Sequence, residues 1–265
     1  MKYRQFSRLI LLTAIIYLPL QSFSWGVLGH RIVGQIADSY LSKKAKKNIA
    51  SILGNESIAM GSNWADFIKS DSTFNYLAPW HYINIKAGLS EDEAIQAIMS
   101  DTSITAYNRI NFLKSELKKK ELPLVTKQLY LRLLIHIVGD IHQPLHVGRP
   151  DDRGGNRVRV LWFKDPYNLH QIWDEVLIDF QQLSYTEYAT AINHTTATQR
   201  AEWNKSNLSY WMYESYLLAE QIYGDVKTNE DKLGYQYNFK YKAVLEDRLL
   251  RGGVRLAYIL NEIFG

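Results

Sequence analysis

The chain contains 265 residues, 46% of them hydrophobic and 22% charged, with a formal net charge of +4 and no cysteine. The absence of cysteine excludes disulfide bonds and a lipid anchor attached to cysteine, so any metal site must use nitrogen and oxygen ligands. The abundance of Leu, Ile, Tyr and Trp suits one large domain.

Residues 1–24 have the pattern of a signal peptide that is cleaved on export. Three basic residues precede an apolar run over residues 9–20, which is shorter than the ~20 residues of a comfortable transmembrane span. Ser22 and Ser24 are the small residues that a signal peptidase prefers, so we predict cleavage between Ser24 and Trp25. The cleaved chain is expected to be secreted or periplasmic, without a membrane anchor.

The predicted cleavage changes the charge balance of the chain. Removing the three basic residues of the first 24 leaves 28 basic against 27 acidic residues, a net charge of +1. The basic isoelectric point of the full sequence therefore says little about nucleic-acid affinity. Residues 25–265 show no low-complexity linker and no internal repeat, and we expect them to form a single domain.

Helical periodicity dominates the chain after the signal peptide, because apolar residues recur at spacings of three and four. The predicted helices are about 29–52 with a break near Ser42, 91–99, 105–120, 122–141, 169–180, 185–193, 208–223 and 241–264. Residues 156–163 alone alternate like a strand, and residues 147–156 are the clearest irregular segment. We therefore predict a mainly α, single-domain fold with at most a small β-hairpin.

The stretch 131–146 contains three histidines and one aspartate in an otherwise apolar run. His136 and Asp140 are four residues apart and project from one face of the predicted helix, which Pro144 ends near residue 141 or 142. His146 follows on the turn and can reach the same place. Polar side chains on a buried face are costly unless they bind each other or a cation, so two interpretations stay open: a hydrogen-bonded His–Asp pair and a metal site.

Further candidate ligands lie in other parts of the chain. His170 and Asp174 repeat the four-residue spacing at the start of a predicted helix. Asp66 follows Trp64-Ala65, and His81 follows Pro79-Trp80. Each of the latter two has an ordinary alternative, a helix cap or turn for Asp66 and a hydrogen-bonded core histidine for His81.

The predicted cleavage site adds a nitrogen ligand of another kind. It creates a free α-amino group on Trp25, five residues before His30, and such an amine binds metals once it is deprotonated. The complete candidate set is Trp25, His30, Asp66, His81, His136, Asp140, His146, His170 and Asp174. Nitrogen and carboxylate ligands suit catalytic Zn²⁺, and about three ligands per ion predict a cluster of two or three ions.

These motifs, taken in chain order, resemble the zinc-dependent, single-strand-specific nucleases of the fungal S1/P1 type and their plant relatives, with bacterial zinc phospholipases C as more distant relatives. The residues that carry the resemblance are Trp25-Gly26, Gly29-His30, Trp64-Ala65-Asp66, Trp80-His81-Tyr82, His136, the stretch 139–146, Gly154-Gly155-Asn156, Asn168-Leu169-His170, Trp173-Asp174 and the stretch 253–257. They cover essentially the whole chain after residue 24. The resemblance implies a helical fold of the zinc phospholipase C type and three zinc ions.

The resemblance also implies how the ligands are shared among the ions. The first ion is implied to bind Asp66, His81, His136 and Asp140. The second is implied to bind His146, His170 and Asp174, and the third the Trp25 amine and carbonyl, His30 and Asp140. Asp140 would therefore bridge two ions, whereas His142 and His194 fall outside the metal set and are expected to be structural or on the surface.

Other residues are expected to act on the substrate. Asp66 would orient the attacking water, and Lys69 would neutralise negative charge at phosphorus, with a solvated surface lysine as the alternative for Lys69. Tyr82 would stack an unpaired base, and Asn84 and Asn156 complete the substrate-binding set. The family usually has an acidic residue in place of Asn84, so the base preference stays open.

The function expected from this resemblance is hydrolysis of single-stranded DNA and RNA to 5′-nucleotides, with 3′-nucleotides as further substrates, by an exported monomer. Two alternatives stay open. A zinc phospholipase C would need an apolar membrane-facing rim, which the sequence does not reveal. A non-catalytic exported zinc-binding protein would gain nothing from a stacking Tyr82 or from a Gly-Gly loop beside the ligands.

Overall fold

The computed structural model describes residues 25–226 and 230–265, and the predicted signal peptide lies outside these residues. Helices dominate the described part of the chain, which confirms the mainly α fold class. The α-helices are α1 (Val27–Ser39), α2 (Lys43–Leu53), α3 (Ile58–Gly61), α4 (Trp64–Phe67), α5 (Glu91–Ser100), α6 (Ala106–Leu117), α7 (Leu124–Asp140), α8 (Leu169–Gln171), α9 (Leu177–Asp179), α10 (Tyr185–Ile192), α11 (Ala197–Trp203), α12 (Leu208–Asp225) and α13 (Tyr235–Phe264). Short 3₁₀ segments cover Ile68–Ser70, Ser72–His81 and Pro144–Val147.

Helix α7 is surrounded by other helices, and it packs against α1, α4, α6 and α13. Nearly every residue from Leu131 to Asp140 is buried, as expected for a helix that is apolar on most of its sides. Pro123 precedes the first turn, and Pro144 lies shortly beyond the last turn because proline cannot continue a helix. The predicted helix 122–141 is therefore correct to within two residues at each end.

Helices α5 and α10 begin with a reciprocal cap formed by a serine and a glutamate. The side chain of Ser90 accepts a hydrogen bond from the backbone N–H of Glu93, whose carboxylate accepts one from the N–H of Ser90 in return. Ser184 and Glu187 make the same pair of bonds at the start of α10. These boxes satisfy N–H groups that the first turn of a helix leaves without partners, and they explain why α5 and α10 begin where they do.

A small sheet immediately precedes α8. Strands β1 (Arg159–Trp162) and β2 (Asp165–Asn168) form an antiparallel hairpin. Strand β1 lies within the predicted strand 156–163 and begins three residues later. A third strand, β3 (Asp231–Leu233), pairs in parallel with β1, so the strand order is β2-β1-β3. Three residues are too few to show an alternating pattern, and for this reason a hairpin is predictable from the sequence but β3 is not.

Helices α8 and α9 are joined by a π-helical segment, Ile172–Val176, so the predicted helix 169–180 exists with one irregular turn. Such π segments are rare and occur frequently at functional sites. Further differences from prediction are α3 and α11, which the periodicity does not reveal, and the start of α13 at Tyr235 rather than near residue 241.

Close packing of α1 fixes the helices that carry the site. A Cβ atom on Gly253 of α13 would lie 2.5 Å from Cβ of Ile36, and one on Gly34 would lie 2.8 Å from Cα of Ala59, so glycine is required at both contacts. The buried apolar side chains around these contacts form one core cluster. Within residues 25–226 and 230–265, no helix has both the length and the apolar composition needed to cross a membrane.

Candidate metal centre

Eight predicted ligands come from separate parts of the chain and meet in one buried cluster. They are supplied by α1, α4, the end of the 3₁₀ segment Ser72–His81, the last turns of α7, the 3₁₀ segment Pro144–Val147, α8 and the π-helical segment. None is more than 7% exposed, and they are His30, Asp66, His81, His136, Asp140, His146, His170 and Asp174. Their ligand atoms form three groups in which all atoms lie within 4.8 Å of one another. Three buried His/Asp groups can therefore bind metal ions.

The first group consists of His81, His136 and Asp140. Oδ2 of Asp140 lies 2.9 Å from Nδ1 of His81 and 3.3 Å from Nε2 of His136. The two imidazole nitrogens are 3.0 Å apart. The four-residue spacing of His136 and Asp140 on α7 thus brings both side chains to one face of the helix, as predicted.

The third group consists of His30, Asp66 and His136. Asp66 lies 4.0 Å from Nε2 of His30 and 3.8 Å from Nε2 of His136, while the rings of His30 and His136 stack at a centroid distance of 3.8 Å. Nε2 of His30 is also 3.3 Å from Oδ1 of Asp140, the oxygen that does not face His81. The two oxygens of Asp140 therefore face different groups, and His136 belongs to both groups.

The second group consists of His146, His170 and Asp174. Nε2 of His146 lies 3.7 Å from Oδ1 of Asp174, and Nε2 of His170 lies 3.2 Å from Oδ2 of Asp174. His170 is in α8 and Asp174 is in the π-helical segment that follows, so the irregular turn directly shapes this group. The second group contains the three residues that the resemblance implies for the second ion, whereas the first and third groups divide Asp66, His136 and Asp140 differently from the implied sets.

Backbone carbonyls orient three of the imidazoles from the side away from the cluster. In each case Nδ1 donates to a carbonyl oxygen, and the pairs are His136 with Ser62 at 2.6 Å, His146 with His81 at 2.7 Å and His170 with Gly154 at 2.5 Å. Because a carbonyl oxygen only accepts, Nδ1 carries the proton and Nε2 keeps its lone pair for a ligand. These contacts are typical of metal-binding histidines.

Burial and neighbouring charges set the ionisation of the cluster. Burial lowers the pKa of His136 to about 3. Burial acts to raise the pKa of Asp140, but His136 and His146 hold it well below its usual range. Burial likewise acts to raise the pKa of Asp174, and His170 outweighs it and lowers that pKa. His136 is thus neutral and both carboxyl groups are ionised, which are the forms that bind metals.

Hydrogen bonds among the described residues leave three polar atoms of the second group unsatisfied, and a bound cation would satisfy them. Among the described residues, Nε2 of His146, Nε2 of His170 and Oδ2 of Asp174 have no hydrogen-bond partner of normal geometry. A buried polar atom left in this state costs about 1–3 kcal/mol. A bound cation would satisfy all three atoms together, and nitrogen and carboxylate ligands without thiolate suit Zn²⁺.

Trp25, the ninth predicted ligand, is fully buried next to the cluster. Its indole N–H donates to the carbonyl of Gly139 at 2.8 Å, and the backbone N–H of Gly26 donates to the carbonyl of Asp174 at 2.7 Å. A Cβ atom on Gly139 would lie 2.9 Å from Nδ1 of His30, so glycine is needed where α7 meets this ring. The backbone at Trp25 is held beside the ligands, and metal binding by its amine stays a prediction.

Two predicted substrate-binding residues lie on one side of an extended segment next to the cluster. Burial alternates along it, because His81 and Ile83 are buried whereas Tyr82 is 41% exposed. Asn84 is on the same side as Tyr82, and its Oδ1 has no hydrogen-bond partner among the described residues. This oxygen would lie 3.5 Å from a Cβ on Gly154. Asn84 thus borders the loop whose carbonyl holds His170, and Tyr82 lies on the same side of the segment as Asn84.

Lys69 and Asn156 are the remaining predicted site residues. Nζ of Lys69 donates to Oδ1 of Asp66 at 2.6 Å, so Lys69 pairs with a candidate ligand rather than extending into solvent. The side-chain amide of Asn156 donates to the carbonyl of Arg153 at 2.9 Å within the Gly-Gly loop. Neither hydrogen bond involves a substrate, so the substrate roles of Lys69 and Asn156 stay predictions.

Gln143 lies inside the ligand motif but is not among the predicted site residues. Its Nε2 donates to Oδ1 of Asp174 at 2.6 Å, so it orients a candidate ligand of the second group. His142 is fully buried and not at the surface: its Nδ1 donates to the carbonyl of Val138 at 2.7 Å, and its Nε2 faces Arg255. His142 is therefore structural, which is one of the two expectations for it.

Comparisons with known proteins show similarity over nearly the whole chain and not only at this site. A sequence model described as S1/P1 nuclease matches residues 25–265. The chain is 30% identical to Endonuclease 2 of Arabidopsis thaliana over 97% of the chain and 96% of the relative, and 29% identical to Endonuclease 4 of the same plant over 98% and 94%. It is 27% identical to Nuclease S1 of Aspergillus oryzae over 94% of the chain and 95% of the relative.

Proposed function

The chain belongs to the S1/P1 nuclease family and is therefore a nuclease, and we propose that it is an exported, zinc-dependent phosphodiesterase that cleaves single-stranded DNA and RNA to 5′-nucleotides. We extend the proposal to 3′-nucleotidase activity and to a monomer. The observation that carries it is the position of Asp140, whose two oxygens face two different groups of candidate ligands. Such a shared carboxylate suits ions held side by side, an arrangement that many phosphoester-cleaving enzymes use.

Zinc is the ion that the ligand chemistry favours. The eight side chains are histidines and aspartates, and the chain has no thiolate to offer. When bound, zinc ions would supply a nucleophile at neutral pH and neutralise negative charge on the phosphate. Three groups of ligands support a stoichiometry of three ions per chain.

Asp66 and Lys69 are the side chains that we assign to the chemical step. Burial acts to raise the pKa of Asp66, but His136 and Lys69 together hold it well below its usual range, so Asp66 is an anion that can accept a hydrogen bond from the attacking water. Lys69 contacts Oδ1 of Asp66 and is 26% exposed, which leaves its ammonium group accessible to a phosphate. We assign to Lys69 the neutralisation of charge that develops at phosphorus.

Tyr82 and Asn84 support a preference for unpaired bases. Tyr82 directly follows a candidate ligand and exposes its ring, so a base adjacent to the scissile phosphate can stack on it. Stacking contributes about 1–3 kcal/mol and needs a base that is not paired in a duplex. The amide of Asn84 offers hydrogen bonds to the edge of that base, and Asn156 completes the substrate-binding set that we propose.

Export would complete the site. The third ion, as proposed, needs the α-amino group of Trp25, and in a precursor that nitrogen is an amide without a free lone pair. The contacts of Trp25 with Gly139 and of Gly26 with Asp174 support this proposal, because they hold the backbone beside candidate ligands.

A substrate panel with metal analysis tests the proposed function. Protein beginning at Trp25 is purified, its zinc content is measured, and its turnover is assayed on single-stranded DNA, RNA, duplex DNA, 3′-nucleotides and phosphatidylcholine. We expect three zinc ions, turnover of the single-stranded polymers and 3′-nucleotides, and products that carry a 5′-phosphate. Removal of zinc with a chelator should abolish turnover, and added zinc should restore it.

The same panel separates the alternatives. Hydrolysis of phosphatidylcholine without cleavage of nucleic acids would indicate a phospholipase C. Full zinc content without turnover of any substrate would indicate a zinc-binding protein. Either result would refute the proposed function.

A further inference from the structure

The orientation of His170 depends on a loop with an unusual backbone. Nδ1 of His170 donates to the carbonyl of Gly154, and this carbonyl lies in a run of three left-handed residues with φ of 57° at Arg153, 63° at Gly154 and 82° at Gly155. A Cβ on Gly154 would lie 2.5 Å from the carbonyl oxygen of Leu145, so the loop presses closely against the segment before His146. The contacts that fix this loop therefore also set the direction of the Gly154 carbonyl.

Within the loop, the N–H of Gly154 donates to the carbonyl of Arg149 at 2.9 Å, and one carboxylate oxygen links the loop to the rest of the fold. Oδ1 of Asp152 accepts the backbone N–H of Gly155 at 2.7 Å and the hydroxyl of Tyr223 at 2.8 Å. Tyr223 is 8% exposed and belongs to α12, a long helix that is remote in sequence from the loop. The chain of contacts thus runs from α12 through Asp152 and the loop to the ring of His170.

The ring of Tyr223 is itself fixed. The guanidinium of Arg149 lies over it at 4.2 Å, and Arg149 is held by Glu220, one turn earlier on α12, at 2.9 Å. Burial and the charge of Asp152 raise the pKa of Tyr223 above its usual range, so the hydroxyl stays protonated and keeps donating.

We propose that Tyr223 and Asp152 are positioning residues for the second group of ligands, His146, His170 and Asp174, and that they set its affinity for metal through the Gly154 carbonyl. The inference rests on the proposed function only in taking these three side chains as metal ligands. Neither residue contacts a ligand side chain or a reacting atom, and each acts through the loop. Outer-shell partners of metal ligands typically change metal affinity about 10–100-fold.

The test compares two tyrosines of the same helix. Tyr223→Phe removes the hydroxyl that contacts Asp152 and keeps the ring under Arg149. Tyr216→Phe is the matched control: the Tyr216 hydroxyl is buried on α12, accepts the N–H of Leu89 at 2.8 Å and donates to the carbonyl of Lys86 at 3.1 Å, away from the Gly154 loop. The Tyr223 hydroxyl also accepts the N–H of Arg149 at 3.4 Å, so both variants lose two hydrogen bonds of one hydroxyl and their losses of stability should be similar.

Zinc retention is the readout. Each protein is loaded with zinc, titrated with a competing chelator, and scored for the number of ions and their apparent Kd. We expect Tyr223→Phe to weaken one of three ions about tenfold, and Asp152→Ala to weaken the same ion by up to about 100-fold. Tyr216→Phe should retain all three ions with wild-type affinity. Asp152→Asn keeps an acceptor oxygen for both donors and should restore most of the affinity.

A double substitution checks that the two residues act together. Tyr223→Phe combined with Asp152→Ala should weaken the ion no more than Asp152→Ala alone, because both act through one oxygen. Wild-type affinity in Tyr223→Phe, or an equal loss in Tyr216→Phe, would overturn the inference. A wild-type protein that binds no zinc would instead refute the proposed function, so the two failures are distinguishable.

Discussion

Asp140→Asn tests the shared ligand most directly. The carboxylate of Asp140 lies 2.9 Å from His81, 3.3 Å from His136 and 3.3 Å from His30, so it contacts residues of two groups. The substitution keeps the shape of the side chain but removes the negative charge from both groups at once. Loss of even an outer-shell partner of a metal ligand typically lowers metal affinity or activity about 10–100-fold. We therefore expect kcat/KM to fall by at least ~100-fold, which corresponds to about 2.7 kcal/mol in the transition state.

The assay compares three carboxylates in parallel. Asp66→Asn, Asp140→Asn and Asp174→Asn are purified, bound zinc is counted, and kcat/KM is measured on a single-stranded oligonucleotide. Asp140→Asn should lose the most zinc and the most activity, whereas Asp174→Asn should affect mainly the second group. Circular dichroism checks that each variant is folded. Full zinc content with a near wild-type rate in Asp140→Asn would show that the assignment of the cluster is wrong.

Three further predictions concern base recognition, export and acid stability. Tyr82→Ala should raise KM for single-stranded oligonucleotides by the equivalent of about 1–3 kcal/mol with an unchanged zinc count, and an unchanged KM would place base recognition elsewhere. Protein with one extra residue before Trp25 should bind one zinc fewer and hydrolyse more slowly than protein beginning at Trp25, and equal zinc and rates would refute amine ligation. At Glu214, burial acts to raise the pKa, but Arg255 and Arg248 lower it to about 2. A carboxyl with a depressed folded-state pKa stabilises the fold above its unfolded pKa near 4.5, and this contribution is lost as pH falls towards 2. Glu214→Gln should therefore remove about 3 kcal/mol of the acid dependence of the unfolding free energy, and an unchanged pH profile would contradict this.

The periodic parts of the fold are predictable from the sequence because burial imposes a regular pattern on a long helix. Helix α7 is recognised within two residues at each end, since its apolar run is long and prolines bound it. α11 and β3 are not recognised, because seven and three residues are too short for a pattern to emerge. The early start of α13 is also missed, since its first turns carry exposed residues such as Tyr235 and Phe239.

The candidate ligands are visible in the sequence for a different reason. His136 with Asp140, and His170 with Asp174, repeat a spacing that places two polar side chains on one buried face, which is costly without a partner. The groups that orient them are not visible. The carbonyls of Ser62 and Gly154 carry no sequence signal, because every residue has a carbonyl.

If the chain is exported, as proposed, the cluster has a consequence for how it folds. Its ligands join the first helix, the central helix and the segment after the hairpin, so ions bound there would cross-link distant parts of a chain that has no cysteine. In many exported proteins, disulfides supply such cross-links, and an oxidising compartment with its thiol oxidases sets their formation. Here metal supply in the receiving compartment would take over that role, and starvation for zinc would limit the yield of folded protein where loss of a thiol oxidase would not.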